Sequence, residues 1–325
     1  MELPRWPVPP SSSLAPNTSF FREDANLFHS RMNPTAATTS RISRRFADLR
    51  ASGEMGIVAY ITAGDPSLSA TLKFVLALAE AGADVIELGV PFSDPLADGP
   101  TIQRASERAL KAGTTLQRVL DLVRDIRKSS QVPLVLFSYY NPILQMGLEK
   151  FAAAASSAGA DGVLVTDFTP EEADDHLRIM RAHRLDTIFL AAPTSDDERL
   201  QKISAASSGF LYVISRTGVT GAKDALPDGL PSLLRRTRSF TNLPVAVGFG
   251  ISLPSHVSVL GGLADAAVVG SALVAEIEKA TAMDSSPAAI DAAAAALATR
   301  VRSLKGAARA GLSRRDSLPK HEVAS

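Results

Sequence analysis

The sequence predicts an α/β fold, a closed (β/α)8 TIM barrel, and three observations support this prediction. Eight short runs rich in Val, Ile, Leu and Phe recur along the chain. Most of them are followed by an amphipathic segment with a helix-start signal, and no long structureless gap separates the units. Strand-then-helix repeated eight times is typical of a closed parallel barrel. An open, doubly wound sheet is the alternative with the same alternation.

The eight predicted strands are short and bounded by Gly, Pro or polar residues, as buried parallel strands usually are. They are Ile57 to Thr62, Asp84 to Val90, Leu134 to Tyr139, Gly162 to Thr166, Thr187 to Ala191, Phe210 to Ile214, Val245 to Gly248 and Ala266 to Gly270. The helix-start signals are Asp65-Pro66, Thr169-Pro170 with Glu172, Ser195 with Glu198, and Ser252 before Pro254. Asp65 is therefore expected to act as a helix cap.

The barrel is predicted to form a single domain, residues 40–308, between two extensions. Residues 1–39 are rich in Pro, Ser, Asn and Thr and lack apolar periodicity, which predicts a disordered N-terminal extension. Organelle targeting and a true start at Met32 are both open explanations for it. Residues 309–325 carry Arg314, Arg315 and Lys320 and predict a flexible C-terminal tail, either solvated or binding a partner.

Composition narrows the class of protein. The 325 residues are 46% hydrophobic, and 34 basic residues balance 34 acidic ones, so no overall field attracts nucleic acid or an anionic membrane. The absence of cysteine excludes disulfides, thiolate nucleophiles and Cys-ligated metals. No apolar stretch approaches the roughly 20 residues of a membrane helix, and no clean signal sequence begins the chain. A cytoplasmic protein is expected.

Carboxylates are the strongest candidates for catalysis at the rim of the predicted barrel. Glu87 is a lone acid within an apolar strand, where a charge is costly unless it is paired or used. The predicted strands contain no lysine, and the five histidines avoid the strand ends. Schiff-base and metal-dependent mechanisms are therefore disfavoured. Acid/base catalysis by carboxylates, helped by tyrosine hydroxyls, remains.

Glycines and small hydroxyl residues follow the last three predicted strands. They form the segments Gly218 to Gly221, Gly248 to Ser252 and Gly270-Ser271. Parallel barrels commonly hold phosphate with backbone N–H groups after strands seven and eight, and glycine allows close approach. The pattern predicts a phosphate site, and the alternative is that these glycines only form tight turns.

Several motifs together resemble one known family. The run ELGVPFSDPLADGPTIQ, from Glu87 to Gln103, resembles the signature of the tryptophan synthase alpha chain family. ITAGDP from Ile61, YNPILQMG from Tyr140, SRTGVTG from Ser215 and GFGIS from Gly248 follow in that family's order, and the resemblance covers about Arg41 to Lys279. It implies retro-aldol cleavage of indole-3-glycerol phosphate into indole and glyceraldehyde 3-phosphate, with no cofactor.

The resemblance also implies roles for individual residues. Glu87 would be the general acid/base, with a pKa raised by burial, and Asp98 would stay ionised and accept a hydrogen bond from the indole N–H. The other implied residues contact substrate (Tyr60, Tyr212, Thr220 and Phe249) or phosphate (Gly221, Gly250, Gly270 and Ser271). The alternatives are a buried ion pair of Glu87 with a residue such as Arg216, an ordinary turn aspartate at Asp98, and a core role for Tyr60.

A partner is implied as well. In the family, a pyridoxal-phosphate beta chain receives the indole, in an expected alpha2-beta2 complex. The loop from Pro91 to Pro100 is longer than a simple turn requires and exposes Phe92, Asp94 and Pro95, which predicts contact with a second protein. A stand-alone lyase and a non-catalytic partner that only activates the beta chain are the two alternatives.

Overall fold

Nine parallel strands make a single sheet in the computed structural model, which describes residues 40–215, 226–248 and 250–316. The strands are β1 (Gly56–Thr62), β2 (Val85–Gly89), β3 (Leu134–Ser138), β4 (Gly162–Val165), β5 (Asp186–Ile188), β6 (Leu190–Ala191), β7 (Leu211–Ile214), β8 (Val245–Gly248) and β9 (Ala266–Val269). Their order is β5-β4-β3-β2-β1-β9-β8-β7-β6, and every pairing is parallel.

The predicted barrel is confirmed, with one difference in the fifth strand. The run Thr187 to Ala191 is divided at Phe189 into β5, which pairs with β4, and β6, which pairs with β7. One predicted strand therefore supplies both ends of the sheet, and the sheet curls into a nearly closed barrel rather than the open, doubly wound alternative.

Helices surround the strands as predicted. They are α1 (Arg41–Ser52), α2 (Leu68–Glu80), α3 (Pro100–Lys111), α4 (Leu116–Arg127), α5 (Tyr140–Met146), α6 (Leu148–Ala158), α7 (Asp174–Ala182), α8 (Asp197–Ala206), α9 (Leu230–Arg238), α10 (Pro254–Leu260), α11 (Ser271–Thr281) and α12 (Pro287–Asp316), with a 3-10 turn at Pro170–Glu172. Two helices follow β2 and two follow β3, so the loops that precede them shape the rim of the barrel.

Two helices begin later than their predicted caps. The side chain of Ser67, not Asp65, accepts the Ala70 N–H at the start of α2. Asp196, one residue after the predicted Ser195, accepts the Arg199 N–H at the start of α8. The expectation that Asp65 caps a helix is wrong, because its carboxylate is buried and bound to a distant arginine.

The other two predicted caps also differ. Thr169 precedes only the 3-10 turn and makes no side-chain capping bond, and α7 starts at Asp174. Leu253, not Ser252, occupies the capping position of α10. In both places a proline at the first helical position sets the backbone angle without a side-chain cap.

Helix α1 closes the amino-terminal end of the barrel. Its Ile42 and Phe46 are buried in the same apolar cluster as Leu164, Ile188 and Phe210 from the barrel interior. The rings of Phe46 and Phe210 lie 5.7 Å apart. Because the described residues fill this end, a substrate site is expected at the carboxyl ends of the strands.

Three aspartates, two of them buried and the third half-buried, join neighbouring strands at the amino-terminal end. Each follows an alanine and precedes a strand: Asp84 before β2, Asp161 before β4 and Asp265 before β9. Their carboxylates accept the backbone N–H groups of Ile57, Leu134 and Val245, at 2.6, 2.8 and 2.7 Å. Arginines donate to the same carboxylates, Arg45 to Asp84, Arg127 to Asp161 and Arg238 to Asp265. These charge-assisted bonds connect strands to the surrounding helices.

The last helix continues beyond the predicted start of the C-terminal tail. α12 reaches Asp316, and Arg309 Nε lies 3.0 Å from Glu54 Oε1. Residues 1–39 and 317–325 lie outside the described residues, so the disordered N-terminal extension, the flexible C-terminal tail and the domain boundaries stay predictions. None of the helices in the described segments is both long and apolar enough to cross a bilayer.

Candidate active site

A cavity opens at the carboxyl ends of the strands and brings most of the predicted site residues together. Glu87, Asp98, Tyr60, Tyr212, Gly250, Gly270 and Ser271 all line it. Its other walls are mainly apolar, from Ala97, Ile102, Phe137, Thr166, Leu190, Ile251 and Val268. Thr220, Gly221 and Phe249 lie outside the described residues. The cavity therefore combines an apolar pocket with two carboxylates.

Glu87 is buried in the centre of β2. Strand register sets it between Tyr60 on β1 and Val135 on β3, and its exposed fraction is 0%. Within the described part of the chain neither carboxylate oxygen has a hydrogen-bond partner. Burial raises the pKa of Glu87 to about 8. The side chain is consequently protonated for the most part at neutral pH. The alternative partner, Arg216, is not among the described residues.

Asp98 lies at the end of the loop that leads into α3, two residues before the helix. The hydroxyl of Tyr139 donates to Asp98 Oδ2 at 3.2 Å and accepts the Ala97 N–H at 2.9 Å. Gln103 Nε2 donates to the Asp98 carbonyl oxygen at 2.8 Å. Burial raises the pKa of Asp98 to about 6, and the bond from Tyr139 limits the rise. Asp98 is thus mostly ionised at neutral pH, although it is more buried than an ordinary turn aspartate.

The contact between Tyr139 and Asp98 was missed by sequence reasoning, which placed Tyr139 at a strand end without a role. The sequence did contain one signal for it, because side chains along β3 alternate between the two faces of the strand. Val135 and Phe137 face the barrel interior, and the same alternation turns Tyr139 inward. What the spacing could not reveal was that the loop after β2 brings Asp98 to this hydroxyl.

The two site tyrosines rest against glycines on neighbouring strands. A Cβ added at Gly89 would overlap the Tyr60 hydroxyl, and one added at Gly248 would overlap the Tyr212 hydroxyl. Burial raises the pKa of both tyrosines well above the ordinary value, so both hydroxyls stay protonated. Two neutral hydroxyls therefore face the cavity, and their positions depend on the absence of side chains at Gly89 and Gly248.

The other end of the cavity is formed by the starts of two loops. Gly250 has φ of 93°, in the left-handed region that favours glycine. Gly270 is the capping residue of α11 and Ser271 is its first residue. The N-terminus of a helix presents N–H groups and a positive dipole end to an anion. In the described residues no group of three or more His, Cys, Asp or Glu is arranged to hold a metal ion.

Comparison with known proteins assigns the family. The family model described as "Tryptophan synthase alpha chain" matches residues 46–306, most of the chain. The chain belongs to the tryptophan synthase alpha chain family. This family takes part in tryptophan biosynthesis, is a family of lyases, and its known role is cleavage of indole-3-glycerol phosphate. The predicted resemblance is confirmed.

Individual members of the tryptophan synthase alpha chain family match closely. The alpha chain of Solibacter usitatus is 52% identical over 240 residues, 74% of this chain and 90% of that one. The alpha chain of Geobacter sulfurreducens is 52% identical over 245 residues, which are 75% of this chain and 93% of that one. The solved structure of tryptophan synthase subunit alpha from Legionella pneumophila superposes on this chain with a TM-score of 0.74 and is 37% identical in sequence. The aligned region covers 83% of this chain and 99% of the Legionella chain.

Proposed function

We propose that this protein cleaves indole-3-glycerol phosphate to indole and glyceraldehyde 3-phosphate by a retro-aldol reaction, with no cofactor. The observation that carries the proposal is a pair of buried carboxylates in one apolar cavity, with pKa values of about 8 for Glu87 and about 6 for Asp98. Between those values one group is a proton donor while the other carries a charge. An indole ring fits the largely apolar walls.

In the first step protonated Glu87 donates its proton to the indole carbon that bears the glycerol chain. The ring then becomes an indolenium cation, whose positive charge is centred on the ring nitrogen. Asp98, ionised and held by Tyr139, accepts a hydrogen bond from the indole N–H and stabilises this charge. A fixed charge in a site shielded from water is worth more than the same charge in solution.

In the second step the Glu87 carboxylate takes the proton from the hydroxyl on the carbon next to the ring. The oxygen electrons form the aldehyde carbonyl, the carbon–carbon bond breaks, and its electron pair returns to the ring and neutralises the nitrogen. Indole and glyceraldehyde 3-phosphate leave, and Glu87 is again protonated. One carboxyl group thus acts first as acid and then as base, which its raised pKa favours.

The remaining predicted residues would bind the substrate. Tyr60 and Tyr212 would flank the ring. The contacts of Phe249 with the ring and of Thr220 with Asp98 stay predictions, because both residues lie outside the described ranges. The phosphate lies against Gly250, Gly270 and Ser271, with Gly221 from the preceding loop. The left-handed Gly250 backbone and the N-terminus of α11 support this assignment, because both present backbone N–H groups without a side chain in the way.

The test is indole release by purified protein. Glu87→Gln keeps the size and polarity of the side chain, but an amide cannot donate or accept a proton as the carboxyl group does. Turnover should therefore fall about 100-fold or more while glycerol 3-phosphate still binds. Asp161→Asn is the control, since it changes a buried carboxylate at the opposite end of the barrel. The folded control should turn over substrate normally. Near-normal indole release by folded Glu87→Gln would remove Glu87 from the mechanism.

A beta chain is proposed as the partner that receives the indole, in an alpha2-beta2 complex. The loop from Pro91 to Pro100 supports this proposal, because Asp94 is exposed and Leu96 is 87% exposed. The stand-alone lyase remains the alternative, and comparing activity with and without a beta chain distinguishes the two. The presence of both carboxylates argues against a partner that has lost catalysis.

A further inference from the structure

Four charged side chains form a continuous ionic chain between helices α3 and α11. Arg108 Nε and Nη2 each lie 2.8 Å from a carboxylate oxygen of Asp65. Arg108 Nη1 donates to Glu278 Oε1 at 2.9 Å. Arg104 binds the same glutamate in two places, at 2.7 and 2.8 Å. These ion pairs therefore connect the loop after β1 with both helices.

Arg108 is the member that joins Asp65 to Glu278, whereas Arg104 joins α3 to Glu278 alone. Arg108 is the side chain that contacts both Asp65 and Glu278, and it uses all three guanidinium nitrogens to do so. Asp65 is 1% exposed, and its burial raises its pKa in spite of these bonds. The buried Asp65 carboxylate therefore depends on the Arg108 guanidinium to stabilise its charge. A lysine offers a single ammonium group and cannot reproduce the planar three-point contact.

The two joined helices carry the two ends of the cavity. α3 begins directly after Asp98 and Gly99, and α11 begins at Ser271. Glu278 follows Ser271 by seven residues, about two helical turns, so the two side chains lie on the same face of α11. A displacement of Glu278 relative to α3 would move Ser271 and Gly270 relative to Asp98.

We propose that Arg108 is a positioning residue, which holds the phosphate end of the cavity at the correct distance from Asp98 by fixing α11, together with Arg104, against α3 and by joining both helices to buried Asp65. Arg108 does not line the cavity itself. The inference rests on the proposed function, since it assumes that Gly250, Gly270 and Ser271 receive the phosphate. Removal of Arg108 should weaken phosphate binding and misplace the indole relative to Asp98, so both KM and kcat should change.

The first experiment measures glycerol 3-phosphate affinity by titration calorimetry, together with kcat and KM for indole release. Arg108→Met should weaken glycerol 3-phosphate binding about fivefold or more, a usual size for coupling between sites. Arg108→Lys should lie between this variant and the unchanged protein. Arg127→Met is the matched control, because Arg127 makes an equivalent bond to buried Asp161 far from the cavity. It should lower stability without changing the affinity.

A second variant separates positioning from stability. Asp65→Asn combined with Arg108→Met removes the unpaired buried charge, so the stability lost in Arg108→Met should partly return. Arg104 still binds Glu278, but the connection from Asp65 to Glu278 through Arg108 is missing, so the affinity should stay low. Recovery of affinity together with stability, or equal affinity losses in Arg108→Met and Arg127→Met, would overturn the inference.

Gly250→Val distinguishes a failure of this inference from a failure of the proposed function. If glycerol 3-phosphate binds this variant as tightly as the unchanged protein, the phosphate site itself is wrongly assigned. If Gly250→Val loses binding while Arg108→Met retains it fully, only the positioning role of Arg108 is wrong.

Discussion

At the scale of single residues, burial gives two similar carboxyl groups different protonation states. Glu87 has no hydrogen-bond partner among the described residues, so desolvation acts on it unopposed and raises its pKa to about 8. Asp98 is almost as buried, but the Tyr139 hydroxyl stabilises its charged form and the pKa reaches only about 6. The difference between an acid and an anion at neutral pH thus depends on one hydroxyl group and on the depth of burial.

The pH dependence of catalysis follows from these two pKa values. Since the proposed mechanism requires ionised Asp98 and protonated Glu87, kcat/KM should fall below pH about 6 and above pH about 8. Tyr139→Phe removes the bond that lowers the pKa of Asp98, so the acid limb should move to higher pH. Tyr140→Phe is the control, because its ring stacks on Phe168 rather than contacting Asp98. An acid limb unchanged by Tyr139→Phe would show that another group controls it.

The raised pKa of Glu87 also predicts how stability depends on pH. Between the ordinary value of 4.5 and about 8 the folded protein keeps a proton on Glu87 that the unfolded chain has lost. The free energy of unfolding should therefore fall as the pH rises through this window. Glu87→Gln cannot ionise, so its stability should fall less over the same range. Urea denaturation at several pH values measures both, and parallel curves would contradict the prediction.

At the scale of elements, the aspartates that precede β2, β4 and β9 join strands to helices. Asp161 shows the arrangement best, since it accepts the Leu134 N–H and bonds from Arg41 and Arg127. A bond of this kind acts between elements that are far apart in the chain, so it stabilises the closed barrel rather than a single helix. Burial protects it from screening by salt.

Loss of one of these aspartates should be costly. Asp161→Ala leaves Arg127 without its carboxylate partner and the Leu134 N–H without its acceptor, and should lower the free energy of unfolding by about 3 kcal/mol. Asp121→Ala is the control, because Asp121 pairs with Arg124 on the exposed face of α4. Such surface pairs contribute at most about 1 kcal/mol. Equal losses in the two variants, measured by urea denaturation, would show that the buried bonds add nothing specific.

At the scale of the whole molecule, one loop joins the outer surface to the candidate active-site cavity. Asp94 and Leu96 are exposed in the middle of the loop after β2, and Asp98 is buried at its end. The ring of Phe92 lies 5.1 Å from that of Tyr139, which holds Asp98. A protein bound to the exposed part of the loop could therefore alter the position of Asp98 through Phe92 and Tyr139.

A cognate beta chain should raise indole production severalfold or more. Asp94→Ala should weaken this activation more than it lowers the rate without partner, because Asp94 is exposed in the loop while Asp98 is not. Asp125→Ala is the control, since Asp125 is exposed on α4, away from the loop. Both rates are measured over a titration of the beta chain at saturating substrate. Equal rates with and without the partner would favour the stand-alone lyase.

The local pattern of the chain was sufficient to predict the barrel and most of the cavity. Hydrophobic runs, proline and glycine positions and the isolated acid in β2 are properties of neighbouring residues, and they predict strands, loops and a rim rich in carboxylates. The described site residues, from Tyr60 to Ser271, line one cavity because parallel strands in a barrel all end at the same face.

Tertiary structure alone decided which side chains meet across that face. Tyr139 reaches Asp98 across 41 positions, and Arg108 reaches Asp65 across 43, so no local spacing reveals either pair. Asp65 looked like a helix cap because it precedes a proline, but a buried carboxylate gains more from a guanidinium than from a helix terminus. The amino-acid sequence by itself determined most of the strands and helices and indicated the candidate reactive groups. Strand register and helix packing decided their partners, because these contacts form only when the barrel closes.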